Sequence, residues 1–385
     1  MPMTSRRDPA VLVAGLVTSI LWVGTAVLSD WVHANFTYRV HSALVRTFLP
    51  HPNGTVPGGS AITGQTILAA LLAGLVVMVM AYLATRRLPR RTGTWGVFLG
   101  TWLGVVVGGT AGSVADTVAD ISFPAPLNPA FHLLSASFDG SWWGLLNGWL
   151  VGIALVGALA LTNRSAEEAL PATRRARKRL RARAWPTVLA AGLTAGLVWV
   201  VLGAGSSWLV WHRSARGPID LVAEVATGAM IFRFAPQGRP VQGMEVALAL
   251  VVGLLVAGGT WLATRRLPPS AGRWTLVLAV WFAAVAAATV PAATRSFTTY
   301  TAFGLHSATM NMVLPVVQAS LFWPLVTGWV TGLVAVLVYT RTGGAAPADV
   351  SPEGSPGPDD RPEPGVEEGP RSALHTDADE RSLVP

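Results

Sequence analysis

Residues 94–120 of this chain read TWGVFLGTWLGVVVGGTAGSVADTVAD. Small or acidic residues recur at every fourth position of this apolar stretch, and they are Gly96, Gly100, Gly104, Gly108, Gly112, Asp116 and Asp120. On a helix, residues four apart form an inclined ridge. A ridge of glycines lets a neighbouring helix approach closely, and membrane helices gain van der Waals contact in this way because lipid offers no hydrophobic driving force. The stretch therefore predicts a close-packed transmembrane helix.

The composition indicates an all-α, polytopic membrane protein. Hydrophobic residues make up 51% of the 385 residues and charged residues only 12%, with 40 glycines and 16 tryptophans. A soluble domain of this size is less apolar. The sequence holds no cysteine, which excludes disulfides and thiolate metal sites.

Eight segments contain the roughly 20 apolar residues that a helix needs to cross a bilayer. They lie near 11–30, 61–84, 94–117, 142–162, 187–211, 243–264, 274–293 and 321–340. The connections between them alternate in charge. One set, together with the C-terminal tail, holds 21 of the 28 positive side chains, and the other set holds seven. The positive-inside rule then predicts a multi-pass protein of the cell membrane with both termini in the cytoplasm.

The second half of the chain repeats the first. Residues 62–89 align with residues 241–268 at an offset of 179, with 13 of 28 positions identical, and both stretches end in LATRRLP. The match continues in the fourth predicted helix, where Trp143, Gly148 and Gly152 recur 180 residues later as Trp323, Gly328 and Gly332. We expect two tandem four-helix repeats. Because four is even, both copies share one orientation, and the pseudo-axis that relates them runs along the membrane normal.

This duplication divides the chain into four parts. The repeats occupy residues 1–163 and 187–341, and residues 164–186 join them with eight basic side chains. This linker is predicted to contact anionic lipid at the cytoplasmic surface, and that interpretation is favoured over nucleic-acid binding. The tail, 342–385, carries 10 acidic and 3 basic side chains with few large apolar ones, so we expect it to be disordered.

The glycine row has a counterpart in the second repeat. Small side chains are kept at the equivalent positions, where Gly96, Gly100, Gly104 and Gly108 become Thr275, Ala279, Ala283 and Ala287. This favours a close-packed face over chance, although alanine and glycine are abundant throughout the chain.

Charged side chains stand near the outer ends of the third and seventh predicted helices. Asp116 corresponds to Arg295 at the offset of 179. Opposite charges at equivalent positions could pair across the repeat interface, since an ionisable group at membrane depth is costly unless it has a partner. The alternative is that water hydrates both side chains at the outer interface. Glu245, at the outer start of the sixth helix, is expected to complement the helix N-terminus, and proton coupling is the less favoured role.

Residue patterns typical of catalysis or cofactor binding are absent from the sequence. It contains no P-loop, no HExxH and no GxSxG motif, and no two histidines are three or four residues apart as a helical metal site requires. Six of the seven histidines fall in the predicted outer segments, where a metal-binding or pH-sensing cluster is the less favoured interpretation. We therefore predict no metal, no cofactor and no enzyme activity.

Two functions remain open. A transporter or permease with a site at the repeat interface is the first, and it rests on the duplication, the glycine packing and the Asp116 and Arg295 positions. A non-catalytic accessory, envelope or immunity protein that binds unknown protein partners through its external surface is the second. A polar cavity reaching the middle of the membrane would favour the first.

Overall fold

The structure is a computed structural model, and it describes most of the apolar part of the chain. The described residues are 8–35, 63–86, 88, 93–120, 129–162, 174–212, 241–265, 267, 273–302 and 309–344. All regular elements within these ranges are helices. They are α1 (Asp8–Asn35), α2 (Gly64–Thr85), α3 (Thr94–Asp120), α4 (Pro129–Thr162), α5 (Arg174–His212), α6 (Val241–Thr264), α7 (Arg273–Ala302), α8 (Thr309–Ser320) and α9 (Phe322–Tyr339), and a π-helical turn (Thr340–Gly344) follows.

Eight helical stretches of the described chain are long and apolar enough to cross a membrane. This confirms the prediction of an eight-span membrane protein. The last of these stretches, Val313–Thr342, combines most of α8 with α9 and the π-helical turn. Aliphatic side chains cover the outer faces of the helices, as in a bilayer environment; examples are Leu12, Leu16, Ile20, Leu193, Leu197, Leu250 and Leu254.

Several helices are longer than their apolar stretches. The helix α4 begins at Pro129, thirteen residues before the predicted span at 142, because a segment with Ser137 and Asp139 continues the same helix. Helix α5 begins at Arg174, so the second half of the basic segment predicted as a linker is helical and continuous with the fifth span. Hydropathy locates only the part of a helix that lies in hydrocarbon.

Two predicted features lie partly or wholly outside the described residues. Apolar residues recur at roughly helical spacing over residues 30–49, which predicts an extension of the first helix or an amphipathic element on the outer surface. The chain is helical as far as Asn35, and residues 36–62 lie outside the described ranges. The acidic tail beyond residue 344 also lies outside them, and its disorder stays a prediction.

Helices α3 and α7 form the centre of the bundle. In the most apolar 18-residue part of α3 and of α7, 67% and 72% of the residues are buried, against 28–44% in the corresponding parts of the other six spans. The two helices contact each other directly. The Trp102 and Phe282 rings lie 4.6 Å apart between their centroids, and Thr275 donates a hydrogen bond of 2.6 Å to the carbonyl oxygen of Ala84 on α2.

The other helices are arranged around this pair in two groups. In the first group α1 packs on α2 and α4, and α3 packs on α2 and α4. In the second group α5 packs on α6 and α9, and α7 packs on α6, α8 and α9. A glycine pair brings the first two helices of each group into close contact. A methyl group placed on Gly15 would lie 2.9 Å from the Gly74 carbonyl oxygen, and one placed on Gly192 would lie 2.7 Å from the Gly253 carbonyl oxygen.

Candidate functional site

The glycines of α3 lie against two neighbouring helices. A methyl group added to Gly104 would lie 2.8 Å from the Met80 Cβ atom of α2, and one added to Gly108 would lie 2.7 Å from the Ala73 carbonyl oxygen. The remaining members, Gly96, Gly100 and Gly112, would bring such a methyl group to 2.9 Å from Thr275 Cγ2, 3.2 Å from Leu278 Cβ and 3.0 Å from the Ala69 carbonyl oxygen. Residues of α2 and α7 therefore occupy the space that larger side chains would need.

A second glycine row lies on α4 and was not recognised in the sequence. Its members are Gly140, Gly144, Gly148 and Gly152, and added methyl groups there would contact Gly109, Val106, Trp102 and Phe98 of α3. The spacing of four residues is the same signal that identified the row on α3. The interruption of this stretch by Asp139, Trp142 and Trp143 made the signal less visible.

Asp116 lies one helical turn beyond the last glycine of α3. Only 3% of its surface is exposed, so protein atoms surround it and bulk water does not. This burial contradicts the alternative of a hydrated interfacial side chain. An ionisable side chain inside a membrane span is costly and commonly marks a functional position.

Arg295 of α7 forms an ion pair with Glu245 of α6. The Arg295 Nη1 atom lies 3.1 Å from the Glu245 Oε1 atom, and 20% of the arginine side chain and 1% of the glutamate side chain are exposed. The two atoms are close enough for an ion pair, yet their alignment lies outside hydrogen-bond geometry. Neither oxygen of Glu245 has a hydrogen-bond partner among the described residues. The predicted pairing of Asp116 with Arg295 stays a prediction.

The environment of Glu245 differs from the sequence expectation. The first turn of α6 contains no acidic residue, and Glu245 is the fifth residue of the helix. Its carboxylate is buried, and the guanidinium of Arg295 supplies the opposite charge. Removing one partner of such a pair leaves an uncompensated buried charge. At residue 66, which aligns with residue 245 at the offset of 179, the Thr66 hydroxyl lies 2.9 Å from the hydroxyl of Thr63, the N-cap of α2.

A partly open cavity lies between α5, α6, α7 and α9. It encloses about 390 Å³, including the space at its mouth. Its lining has no charged side chain and consists of Ala195, Val198, Trp199, Leu202, Val252, Ala284, Ala288, Trp323, Pro324, Thr327, Gly328 and Thr331. The Nε1 atom of Trp323 is buried and has no hydrogen-bond partner within the described part of the chain.

In the first half, the tryptophan that aligns with Trp323 has a hydrogen-bond partner. There the Trp143 Nε1 donates a hydrogen bond of 2.9 Å to the Thr25 hydroxyl. The Trp22 and Trp143 rings meet edge to face with their centroids 4.8 Å apart. In the first helix of each half the offset is 177, at which Trp22 and Trp31 match Trp199 and Trp208, so Leu202 aligns with Thr25. Trp323 aligns with Trp143 at the offset of 180.

The described residues offer little for catalysis. They contain no group of three or more His, Asp or Glu side chains that could hold a metal ion. His132 of α4 is exposed, while the six other histidines lie outside the described ranges or have side chains that are not described. Comparisons of the chain with protein-family models, curated proteins and solved structures give no match.

Proposed function

We propose that this integral membrane protein is a permease-like transporter built from two tandem four-helix repeats, with both termini in the cytoplasm. The site lies at the repeat interface near the outer ends of α3 and α7, where Asp116, Arg295 and Glu245 stand. The observation that carries the proposal is the buried Glu245–Arg295 ion pair.

Contacts around α3 and α7 support the tandem repeat. Residue 275 corresponds to residue 96, and residue 263 to residue 84. Thr275 bonds to the Ala84 carbonyl oxygen, and a methyl group on Gly96 would lie 2.9 Å from Thr275 and 3.8 Å from the Ala263 carbonyl oxygen. Such reciprocity, in which equivalent residues contact each other, is what a two-fold axis produces.

Equivalent contacts within each half also support it. Trp102 donates a hydrogen bond of 2.9 Å to the Leu145 carbonyl oxygen, and Trp281, its equivalent, donates one of 2.8 Å to the Pro324 carbonyl oxygen. In each half this indole packs on the next glycine of the partner helix, Gly148 or Gly328.

The ion pair supports transport because ionisable groups inside membrane spans mark substrate or proton pathways. Glu245 belongs to the span Met244–Thr264, and Arg295 belongs to the span Arg273–Thr298. Protonation of Glu245 would remove its charge and release Arg295 from the pair. The contact between α6 and α7 would then loosen, which gives a route by which a proton could couple to a conformational change.

The experiment is solid-supported-membrane electrophysiology on purified protein in proteoliposomes. Amino acids, sugars, carboxylic acids and organic cations are applied separately under an imposed pH gradient. We expect one of these classes to give a transient current that Glu245→Gln abolishes. Thr294→Ala is the matched control, because Thr294 neighbours Arg295 in sequence but is exposed. Correctly folded wild-type protein that gives no current with any class would contradict the proposal.

A second candidate is a non-catalytic accessory, envelope or immunity protein. The close packing of α3 on α7 favours it, because the Trp102 and Phe282 rings fill the interface between the halves. In this case the external surface would bind protein partners, and the ion pair would serve folding alone. Absence of any transport current together with a marked loss of stability in Glu245→Gln would support this candidate.

A further inference from the structure

One buried hydrogen bond of the first half has no equivalent among the described residues of the second half. In the first half Trp143 has an acceptor, the Thr25 hydroxyl. In the second half the equivalent acceptor position is Leu202, and the Trp323 indole N–H has no partner among the described residues. A buried donor without an acceptor is destabilising, because it has lost its hydrogen bonds to water. An acceptor from outside the chain would remove this cost.

The depth of Trp323 identifies what can supply the acceptor. Trp323 precedes Arg341 by 18 residues, which is about 27 Å along a helix. The hydrocarbon core of a bilayer is about 30 Å thick, and Arg341 marks one of its boundaries because charged side chains favour the interface. Trp323 therefore lies in the half of the bilayer away from Arg341, on the side of the lipid ester groups of the opposite leaflet. Thr331, on the same wall of the cavity, lies about 15 Å from Arg341, near the middle of the bilayer.

The cavity between these two levels suits a hydrocarbon chain. It is lined by small and aliphatic side chains such as Ala195, Val252 and Ala288, and it is partly open. The adjoining face of α5 is exposed where lipid would contact it, with 63% of Leu197 and 56% of Val201 accessible. The hydroxyl groups of this wall belong to Thr327 and Thr331, and the rest of its lining is aliphatic or aromatic.

We propose that this cavity binds one acyl chain of a phospholipid from the leaflet opposite the Arg341 end. The ester carbonyl of that chain accepts a hydrogen bond from Trp323 Nε1, and the chain extends towards Thr331. The indole N–H is covered by its neighbours, so a small rotation of the ring brings it to the carbonyl. The site is independent of the proposed transport activity, because it needs neither the ion pair nor the repeat interface.

The experiment compares two variants that differ in one hydroxyl group. Leu202→Thr restores the acceptor found in the first half, whereas Leu202→Val has nearly the same shape without it. Each protein is reconstituted with diester phosphatidylcholine carrying a photoreactive diazirine in one acyl chain, and the labelled peptides are identified by mass spectrometry. The wild type is also tested with the diether analogue, which lacks the carbonyl oxygen.

We expect labelling of the α5 and α9 peptides in the wild type and in Leu202→Val. In Leu202→Thr, and with the diether lipid, labelling of these peptides should fall about fivefold, the effect of losing one hydrogen bond. Equal labelling of the two variants, or equal labelling by diester and diether lipids, would overturn the proposal. Labelling of α5 and α9 no stronger than that of other lipid-facing helices would overturn it as well.

Discussion

The small and the large residue of one helix contact are exchanged between the two halves. This exchange predicts that mutations of Gly104 and Met80 affect stability in a coupled way. In the first half Gly104 of α3 faces Met80 of α2, and an added methyl group would lie 2.8 Å from the Met80 Cβ atom. The equivalent positions in the second half are Ala283 and Gly259. There alanine is tolerated on the central helix because its partner is glycine. Ala283 in the second half would by itself predict a mild effect of Gly104→Ala, but the contact of Gly104 with Met80 predicts a larger one.

The magnitude follows from the geometry. Ordinary carbon contacts begin at 3.4 Å, so Gly104→Ala must move Met80 by about 0.6 Å. Overpacking of this kind costs about 1–3 kcal/mol, and the better helix propensity of alanine returns about 1 kcal/mol. Met80→Gly removes the opposing Cβ atom and is destabilising by itself, through helix propensity and lost packing. In the double variant the overpacking disappears, so it should be more stable than the sum of the single effects by about 1–2 kcal/mol.

The assay is reversible unfolding in mixed detergent and SDS micelles, measured for the wild type, both single variants and the double variant. Gly24→Ala is the matched control, because a methyl group there meets nothing within 4 Å, and it should be neutral or slightly stabilising. Gly104→Leu should be more destabilising than Gly104→Ala. Additive effects of the two mutations within about 0.5 kcal/mol would refute the reasoning, as would a wild-type stability for Gly104→Leu, which is expected only if the glycine row faces lipid.

Three further predictions concern the tryptophans, the tail and the topology. Trp143→Phe should lower the free energy of unfolding more than Trp323→Phe by about 0.5–1.5 kcal/mol, because only Trp143 loses a hydrogen bond to a side chain; equal losses in detergent-purified protein would contradict this. Removal of residues 346–385 should leave the melting temperature unchanged, because a disordered tail contributes no packed surface, and a clear drop would mean that the tail docks on the bundle. Reporter fusions after Arg91 and Arg341 should be cytoplasmic and fusions near Gly54 external, and the reverse pattern would exclude the predicted topology.

Much of the architecture could be predicted from the sequence because membrane spans follow simple constraints of length and polarity. All eight spans were located from hydropathy, and the small residues of α3 indicated where helices come close. The helix ends could not be found in the same way. The polar start of α4 and the basic start of α5 at Arg174 form helix outside the hydrocarbon, where hydropathy carries no signal.

The partner of Arg295 was not predicted because charge pairing depends on which helices are neighbours. Comparison of the two halves directed attention to Asp116, the equivalent of Arg295. Glu245 was considered only for its place near a helix start, although α6 and α7 are consecutive and antiparallel, which brings their outer ends together. The missing acceptor beside Trp323 was not predicted either. The replacement of Thr25 by Leu202 is visible in the sequence, but its consequence follows only from the hydrogen bond between Trp143 and Thr25 in the structure.

The central claim is that the two halves meet about an axis that passes between equivalent residues of α3 and α7. The most direct test is a disulfide between Gly96→Cys and Thr275→Cys in native membranes, which is clean because the chain has no other cysteine. A methyl group on Gly96 would lie 2.9 Å from Thr275 Cγ2, so side chains at these two positions are close enough to be tested for a disulfide. A protease site inserted between residues 164 and 172 separates the halves after oxidation. We predict that the halves stay linked on non-reducing gels and separate on reduction, whereas the lipid-facing pair Leu12→Cys and Leu193→Cys gives no link; halves that separate without reduction in folded protein would contradict the account.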